Sequence, residues 1–342
     1  MEHCALDLGG RKSQVCIRSS TGAILEEKRC ETVRLPGLLA SRPPSRVVME
    51  TCAEAFGIAD AALTLGHEVR VVSATLVRSR GVGARRTKTD VRDARVLSEV
   101  SCRIDLPSVH IPSARSREWK TICGMRDALV GARTKLINNV RSWLRGQAVR
   151  IRTGPSTTFV SRVREMETMP SYVQSQLRAI DALSREIGAF DEQIASLARE
   201  EPLCVRLMST PGIGPATAVR FVATIDRLDR FPSSHSVESY LGLVPGESSS
   251  SESQQRLSIT KAGSARMRWL LVQAAWALRT RCRSSEARPL QLWALQVEQR
   301  RGKRIATVAL ARKLAGIIYA LWRDHLLRRS VRLSAFAEPA TS

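Results

Sequence analysis

Two apolar series, each repeating every seven residues, divide this chain. Ile122, Leu129, Leu136 and Trp143 make the first and Val173, Ile180, Ile187 and Ile194 the second, with a turn-like "RTGPSTT" between them at 152–158. A seven-residue repeat keeps one stripe of a helix turned toward a partner. The pattern therefore predicts two long helices, beginning near Ser113 and folded back on each other as an antiparallel coiled coil. Arg126 and Arg133 lie close to the first stripe, so that seam is not purely apolar. This spacer cuts the 342 residues into an N-terminal domain (1–108), a coiled-coil linker or dimerisation region (109–204), a C-terminal domain (205–330) and a tail (331–342). The length agrees, at roughly 100 to 200 residues per domain.

Before the spacer the texture is that of a sheet. "CALDL" (4–8), "QVCIRS" (14–19) and "AILEEK" (23–28) are β-leaning segments separated by the turn-like "GGRKS" and "STG", which predicts a three-stranded meander. "RVVME" (46–50) suits a buried strand, "AEAFGIADAALTLG" (53–66) a helix ending at Gly66, and "EVRVVSA" (68–74) another strand. A meander followed by strand, helix and strand implies a mixed α/β layer. "TDVRDARVLSEVSCR" then has helical character, with Thr87 or Thr89 available as N-cap.

After the spacer, "STPGIGPATAVRFVATI" (209–225) places a Gly-x-Gly turn between two helices. It resembles a helix-hairpin-helix, in which Gly212 and Gly214 would let backbone N–H groups approach a phosphate; a tight structural turn is the plainer reading. A short helix, a serine-rich loop and a cationic helix are expected across 236–280. A last basic helix is expected over 302–329, with Leu310, Leu314, Ile317 and Leu321 on its apolar face.

Charge narrows the function. Lys and Arg number 54 against 32 Asp and Glu, a formal +22, which is the electrostatic footprint of a nucleic-acid binder. It is concentrated in two zones: residues 75–150 hold 17 basic and 6 acidic side chains, and residues 256–330 hold 17 and 3. Aromatic residues are only 4%, so phosphate contact rather than base stacking should dominate binding overall. The eight cysteines show no CxxC pair and no clustering with histidine, which argues against a zinc site or a disulfide framework. No continuous apolar run reaches the roughly 18 residues of a membrane span, and the N-terminus does not read as a signal peptide. A soluble protein working in the cytoplasm beside the nucleoid, with no membrane partner, is the expectation.

Against that basic background four acids need a reason. Asp90 and Asp93, three apart, share a helix face within "RRTKTDVRDARVL", beside Arg85, Arg86 and Lys88. Asp7 lies in the first strand and Glu50 ends "RVVME"; an acid in or at the lip of a buried strand costs desolvation energy unless paired or metal-bound. If the strands are neighbours, four carboxylates meet at one edge and would hold Mg²⁺, which takes oxygen ligands and leaves positions for phosphate oxygens. Arg85, Arg86 and Lys88 would hold those phosphates. Local pairing of the two aspartates with Arg92, Arg95 or Lys88 is the alternative.

These residues resemble a known family. Asp7, "VVMETC", "LGHEVRVVSATLVRS" and "KTDVRDA", followed by "STPGIGPATA", "YLGLVPGESSSS" and "ITKAGSARMRWLLVQAAW", are similar in order to the DEDD transposases of insertion sequences, a family that includes the pilin-gene invertase. The resemblance implies an RNase H/RuvC-like N-terminal domain with Asp7, Glu50, Asp90 and Asp93 as its acids. It also implies a coiled-coil region, and a helical C-terminal domain with a nucleophilic serine. That serine falls at Ser250, with Ser249 and Ser251 open because "GESSSSES" lacks the family's usual glycine. A structured noncoding guide RNA pairing with donor and target DNA is implied as well. A serine phosphodiester link would conserve bond energy for rejoining. Arg256, Lys261, Arg266 and Arg268 are placed to stabilise the developing phosphorane charge. Breaking and joining two duplexes calls for several active sites, hence a homodimer or homotetramer. The spacer's length points to a composite site, Ser250 of one protomer meeting the acids of another. The carboxylates alone would equally suit a Mg²⁺-dependent endonuclease of Holliday-junction type.

Overall fold

Alternation along the strands explains the N-terminal unit. Cys4, Leu6, Val15, Ile17, Val47, Met49, Val69 and Val71 point to one face of a sheet and are buried with Leu35, Leu39, Ile58, Ala59 and Ala62. Ala5, Val48 and Val72 point to the other, where they meet Leu97 and Leu106. Such period-two burial on both faces requires cover on both. The computed structural model describes residues 1–73, 90–166, 169–250 and 253–337, with backbone alone for 90, 247–250, 253–256 and 329–337. The chain divides between Pro112 and Ser113 into two units.

In the first unit, β1 (His3–Asp7), β2 (Lys12–Arg18) and β3 (Ile24–Glu31) form the antiparallel meander. β4 (Arg46–Glu50) pairs parallel with β1, and β5 (Glu68–Val72) parallel with β4, giving the order β3-β2-β1-β4-β5. The helices α1 (Leu35–Ala40) and α2 (Ala55–Thr64) cover the first face, and α3 (Asp90–Arg103) the second. The helix before Gly66 and the strand at 46–50 fall where the sequence predicts them. The expected caps Thr87 and Thr89 lie outside the described residues.

The second unit is largely helical. Ser113 caps α4 (Ala114–Gly146), its hydroxyl accepting from the Ser116 N–H. At about 1.5 Å per residue the 33 residues of α4 extend about 50 Å. α6 (Ser171–Glu200) runs back along it: Trp143 meets Tyr172, Arg133 meets Ser184, Arg126 meets Asp191 and Arg115 meets Glu201. On α6 the stripe is as expected, with Val173, Ile180, Ile187 and Ile194 buried. On α4 the period is right and the register is not. The buried line runs through Trp119, Cys123, Arg133, Ile137, Val140 and Leu144, one residue beyond the predicted Ile122, Leu136 and Trp143, which are only partly buried. At the near end Trp119 and Cys123 join the core of the helices that follow α6, and at the far end a third helix intervenes. α5 (Phe159–Arg164) inserts Phe159, Val160 and Val163 against Ile137, Val140 and Leu144, turning α4 toward that side.

The near ends of α4 and α6 are built into the core formed by α7 (Pro202–Met208), α8 (Pro215–Ile225), α9 (Ser234–Tyr240), α10 (Ala265–Thr280), α11 (Arg288–Arg301) and α12 (Lys303–Ala337). The expected serine loop is instead a hairpin, β6 (Pro245–Ser250) with β7 (Ser253–Ile259), in which Glu247 stands opposite Arg256. On α12 the buried line is Leu310, Leu314, Ile318 and Trp322, stepping by four residues; Ile317 and Leu321, expected there, are only partly buried because the side turned to the core rotates along the helix. By length and composition 303–328 could cross a membrane, at a mean hydropathy of 1.5, yet half of that stretch is buried within the unit.

One carboxylate ties the start of α4 to this core. Asp226 follows α8 at φ 63°, ψ −58°, and the Arg227 N–H closes a γ-turn onto Ile225 O at 2.7 Å. Its carboxylate accepts from the Ser113 N–H at 3.1 Å and from the Ser113 and Ser116 hydroxyls at 2.5 Å each. It thus supports the N-cap and places negative charge at the positive end of α4. Replacing Asp226 with Ala should lower stability by about 1–3 kcal/mol, read as a lower thermal midpoint; an unchanged midpoint would show that these bonds are dispensable.

Candidate active site

The acids are positioned by the sheet and by the direction of α3. Asp7 ends β1 and Glu50 ends β4, and these parallel neighbours are in register through Leu6 opposite Met49, so the two acids are the next pair along. Each lies two residues beyond Ala5 and Val48, which face α3, and alternation puts both acids on that same face. α3 runs antiparallel to β1. Near its C-terminal end the Ser101 hydroxyl is 2.9 Å from His3 Nδ1, and further back the Ser98 hydroxyl donates to Sγ of Cys16, opposite Ala5, at 3.2 Å. The eight residues from Ser101 back to Asp93 cover about 12 Å of helix. The four from His3 to Asp7 cover about 13 Å of strand. Asp93, beside the fully buried Ala94, therefore lies toward the Asp7 end of β1, and Asp90 begins the helix about one turn beyond.

Local pairing of α3 also exists, but through another residue. Arg95 donates to both carboxylate oxygens of Glu27 on β3, at 2.7 Å from Nε and 2.6 Å from Nη2. The pair is exposed, so it orients the helix more than it stabilises it. Among the described residues no three His, Cys, Asp or Glu side chains are close enough to hold a metal ion. That set includes Asp7, Glu50 and Asp93, whose side chains therefore do not form a three-ligand group; the side chain of Asp90 is outside it, as are Arg85, Arg86 and Lys88 altogether. As donors the four acids suit a hard cation, being all oxygen.

Ser250 is the last residue of β6, opposite Ser253 on β7; Ser249 pairs with Gln254, and Ser251 lies outside the described residues. The strand pair rises from a close crossing of backbone. Gly242, at φ 68°, would bring a Cβ to 2.3 Å from Ala262 O, so no other residue fits there without displacing the hairpin's return. Arg268 clasps that crossing, donating to Leu241 O at 3.1 Å, to Gly263 O at 3.2 Å and to Ala262 O. Arg266 donates to Asp127 Oδ1 at 2.5 Å and lies over the Trp269 ring. Lys261 is exposed and Arg256 sits on β7. Of the four cations expected around the serine, two are thus engaged within the protein.

Asp127 escaped sequence reasoning. It also accepts from Arg220 at 2.6 Å, and so joins α4, α8 and the start of α10 behind the hairpin. Its only signal in sequence is an acid on an arginine-rich helix. At the Gly-x-Gly turn, Gly212 has φ 87° and a Cβ there would lie 2.8 Å from Ala274 O on α10. Packing alone accounts for that glycine. Gly214 precedes α8 as its N-cap with open space around it.

A mixed sheet of this order, with acids ending β1 and β4 and two more on the covering helix, followed by a largely helical unit, fits a DEDD transposase with a RuvC-like catalytic unit. Comparison with known proteins agrees. A DEDD transposase model of the IS110 type matches residues 4–148, and one described as "Transposase IS116/IS110/IS902 family" matches 204–291. The chain is 30% identical to a "Probable family 20 transposase" of Pseudomonas aeruginosa, over 82% of this chain and 84% of that one. It is 29% identical to the "Transposase for insertion sequence element IS1328" of Yersinia enterocolitica (92% and 95%). It is also 27% identical to the "Transposase for insertion sequence element IS1111A" of Coxiella burnetii (92% and 88%). The chain belongs to the IS110/IS116/IS902 family of insertion-sequence transposases. It is an enzyme that cleaves and transfers DNA strands, and DNA is its partner.

The Gly212 geometry is testable apart from catalysis. Gly212→Ala should destabilise the protein by about 1–3 kcal/mol, seen as an earlier urea midpoint. Unchanged stability with weakened DNA binding would instead make the turn a phosphate contact.

Proposed function

We propose that the chain cuts and rejoins DNA through the carboxylates Asp7, Glu50, Asp90 and Asp93 together with the hydroxyl of Ser250, guided by a structured noncoding RNA that pairs with donor and target DNA. The observation that carries the reading is the convergence of backbone: two acids ending adjacent parallel strands, and the acid-bearing start of α3 arriving at the same end of the sheet. Divalent-metal use is typical of DEDD transposases, and Mg²⁺ on the four acids would supply Lewis-acid stabilisation of phosphate charge. The acids bind and orient; Ser250 supplies the nucleophile.

In that step the Ser250 hydroxyl oxygen bonds to phosphorus and the bond from phosphorus to one sugar oxygen breaks. The hydroxyl proton leaves with a base, and the departing sugar oxygen takes one up. One phosphodiester is exchanged for another, so the reverse attack by a different strand rejoins DNA without an external energy source. Arg256 and Lys261 lie nearest in sequence to counter the charge on the phosphorane. With Gly212 taken up by packing, the helix-hairpin-helix contact to phosphate falls to Gly214, and the α4–α6 pair acts as a coiled-coil spacer. In a homodimer or homotetramer, the spacer brings Ser250 of one protomer to the acids of another. The enzyme works in the cytoplasm beside the nucleoid.

Glu50→Gln and Asp90→Asn should each reduce strand cleavage by several orders of magnitude while nucleic-acid affinity changes by less than about threefold, since one acid among many basic contacts contributes little to binding. Gel assays of cleavage with and without EDTA, beside filter binding, measure both. Cleavage that persists in EDTA removes the metal site from the mechanism.

A further inference from the structure

One helix of the second unit presents two indoles to solvent. Met267, Leu271, Ala274, Ala275 and Leu278 bury one side of α10. On the other, Trp269 and Trp276 are 46% and 37% exposed, and exposed Gln273 lies between them. Seven residues apart, the rings share a line along the helix, about 10 Å from each other along its axis. Leaving two indoles in water is unfavourable unless something covers them.

The surrounding charge selects the cover. The Arg266 guanidinium lies 4.2 Å from the centre of the Trp269 ring, and Lys303 Nζ lies 4.8 Å from that of Trp276. α10 carries three arginines and no acid. The carboxylates that touch these cations or their neighbours are already engaged, Asp127 by Arg220 and Arg266, Glu298 by Arg279. A second copy of a +22 chain would bring repulsion to this face. A duplex offers phosphates but keeps its base faces stacked inside. An unpaired strand offers both, and strand exchange exposes unpaired bases.

We propose that Trp269, Gln273 and Trp276 form a stacking platform for single-stranded nucleic acid, with Arg266 and Lys303 as its flanking cations. Each cation lies over one face of an indole, and a base stacked on the other would be reinforced by it across the ring. At about 3.4 Å per stacked nucleotide the two rings are spaced for a run of about three. Asp127 is a positioning residue here, because it fixes the guanidinium of Arg266 above Trp269. The platform requires neither the acid cluster nor Ser250, so it goes beyond the reaction proposed above.

The test uses the full-length protein with fluorescent dT12, rU12 and a mixed-sequence 12-base-pair duplex. The Trp269→Ala/Trp276→Ala double variant should bind single strands about tenfold or more weakly and duplex within about threefold of the unaltered protein. Trp269→Phe/Trp276→Phe should retain most of the single-strand affinity. Loss confined to rU12 or to dT12 assigns the platform to RNA or to DNA, and equal loss to both. A second measurement needs no variant. Photocross-linking of bromouridine-substituted strands should label the tryptic peptide WLLVQAAWALR, residues 269–279. Cross-links that avoid that peptide overturn the proposal. So do equal losses for strands and duplex, or a smaller assembly in sedimentation with strand affinity unchanged, which would mark a contact between protein copies.

Discussion

The seat of α3 on the sheet governs the candidate active site. Leu97 packs with Ala5, Val48 and Val72, and the Ser98 and Ser101 hydroxyls bond to Arg18 and His3, so the helix has one direction and one height across β1. A shift of α3 by one residue would rotate its first turn by about 100° and carry Asp90 and Asp93 off the sheet end that holds Asp7 and Glu50. The small side chains matter here. Ala5 and Ala94 are fully buried and Ser98 is fully covered, which lets the helix approach the sheet closely.

A second constraint is the conflict between a polyanionic substrate and an acidic site in one protein. Sequence zones rich in arginine flank both the acids and the serine hairpin, yet many of those arginines are occupied. Arg95 holds Glu27, Arg266 holds Asp127, and Arg268 spans three carbonyls. The net charge therefore overstates the number of cations available to phosphate. Arg133 is the extreme case, 8% exposed with its pKa lowered by burial and by the neighbouring Arg126, and its Nε has no hydrogen-bond partner. Asp191 opposes that push only in part, and a cation buried in a helix seam on a lone hydroxyl contact with Ser184 opposes stability and favours one register over its neighbours.

Elements whose burial repeats at short range were legible in the sequence. β4 was visible as "RVVME" because parallel strands covered on both faces are continuously apolar. The seam of α4 was legible in period and wrong in register, since Phe159 and Val160 of a separate helix decide which of two adjacent apolar columns turns inward. The serine hairpin left no apolar signal at all, and its pairing of Glu247 with Arg256 exists only across strands. Asp127 was invisible because its partners Arg220 and Arg266 are 93 and 139 residues away. The four acids were found singly by chemistry and as a set by resemblance; what sequence could not show is that β1 and β4 pair in parallel, which puts Asp7 and Glu50 at adjacent strand ends.

In the proposed reaction a serine and a carboxylate cluster act on the same phosphodiester from different protomers. The direct measurement mixes Asp7→Asn protein with Ser250→Ala protein, each inactive alone, on a cleavable DNA substrate and looks for protein covalently attached to DNA. A mixed assembly contains one intact site, so the adduct should reappear in the mixture, attached through Ser250 of the Asp7→Asn chain. A mixture as inert as either variant, in which hetero-oligomers are demonstrably present, or an adduct formed by Ser250→Ala alone, would contradict it.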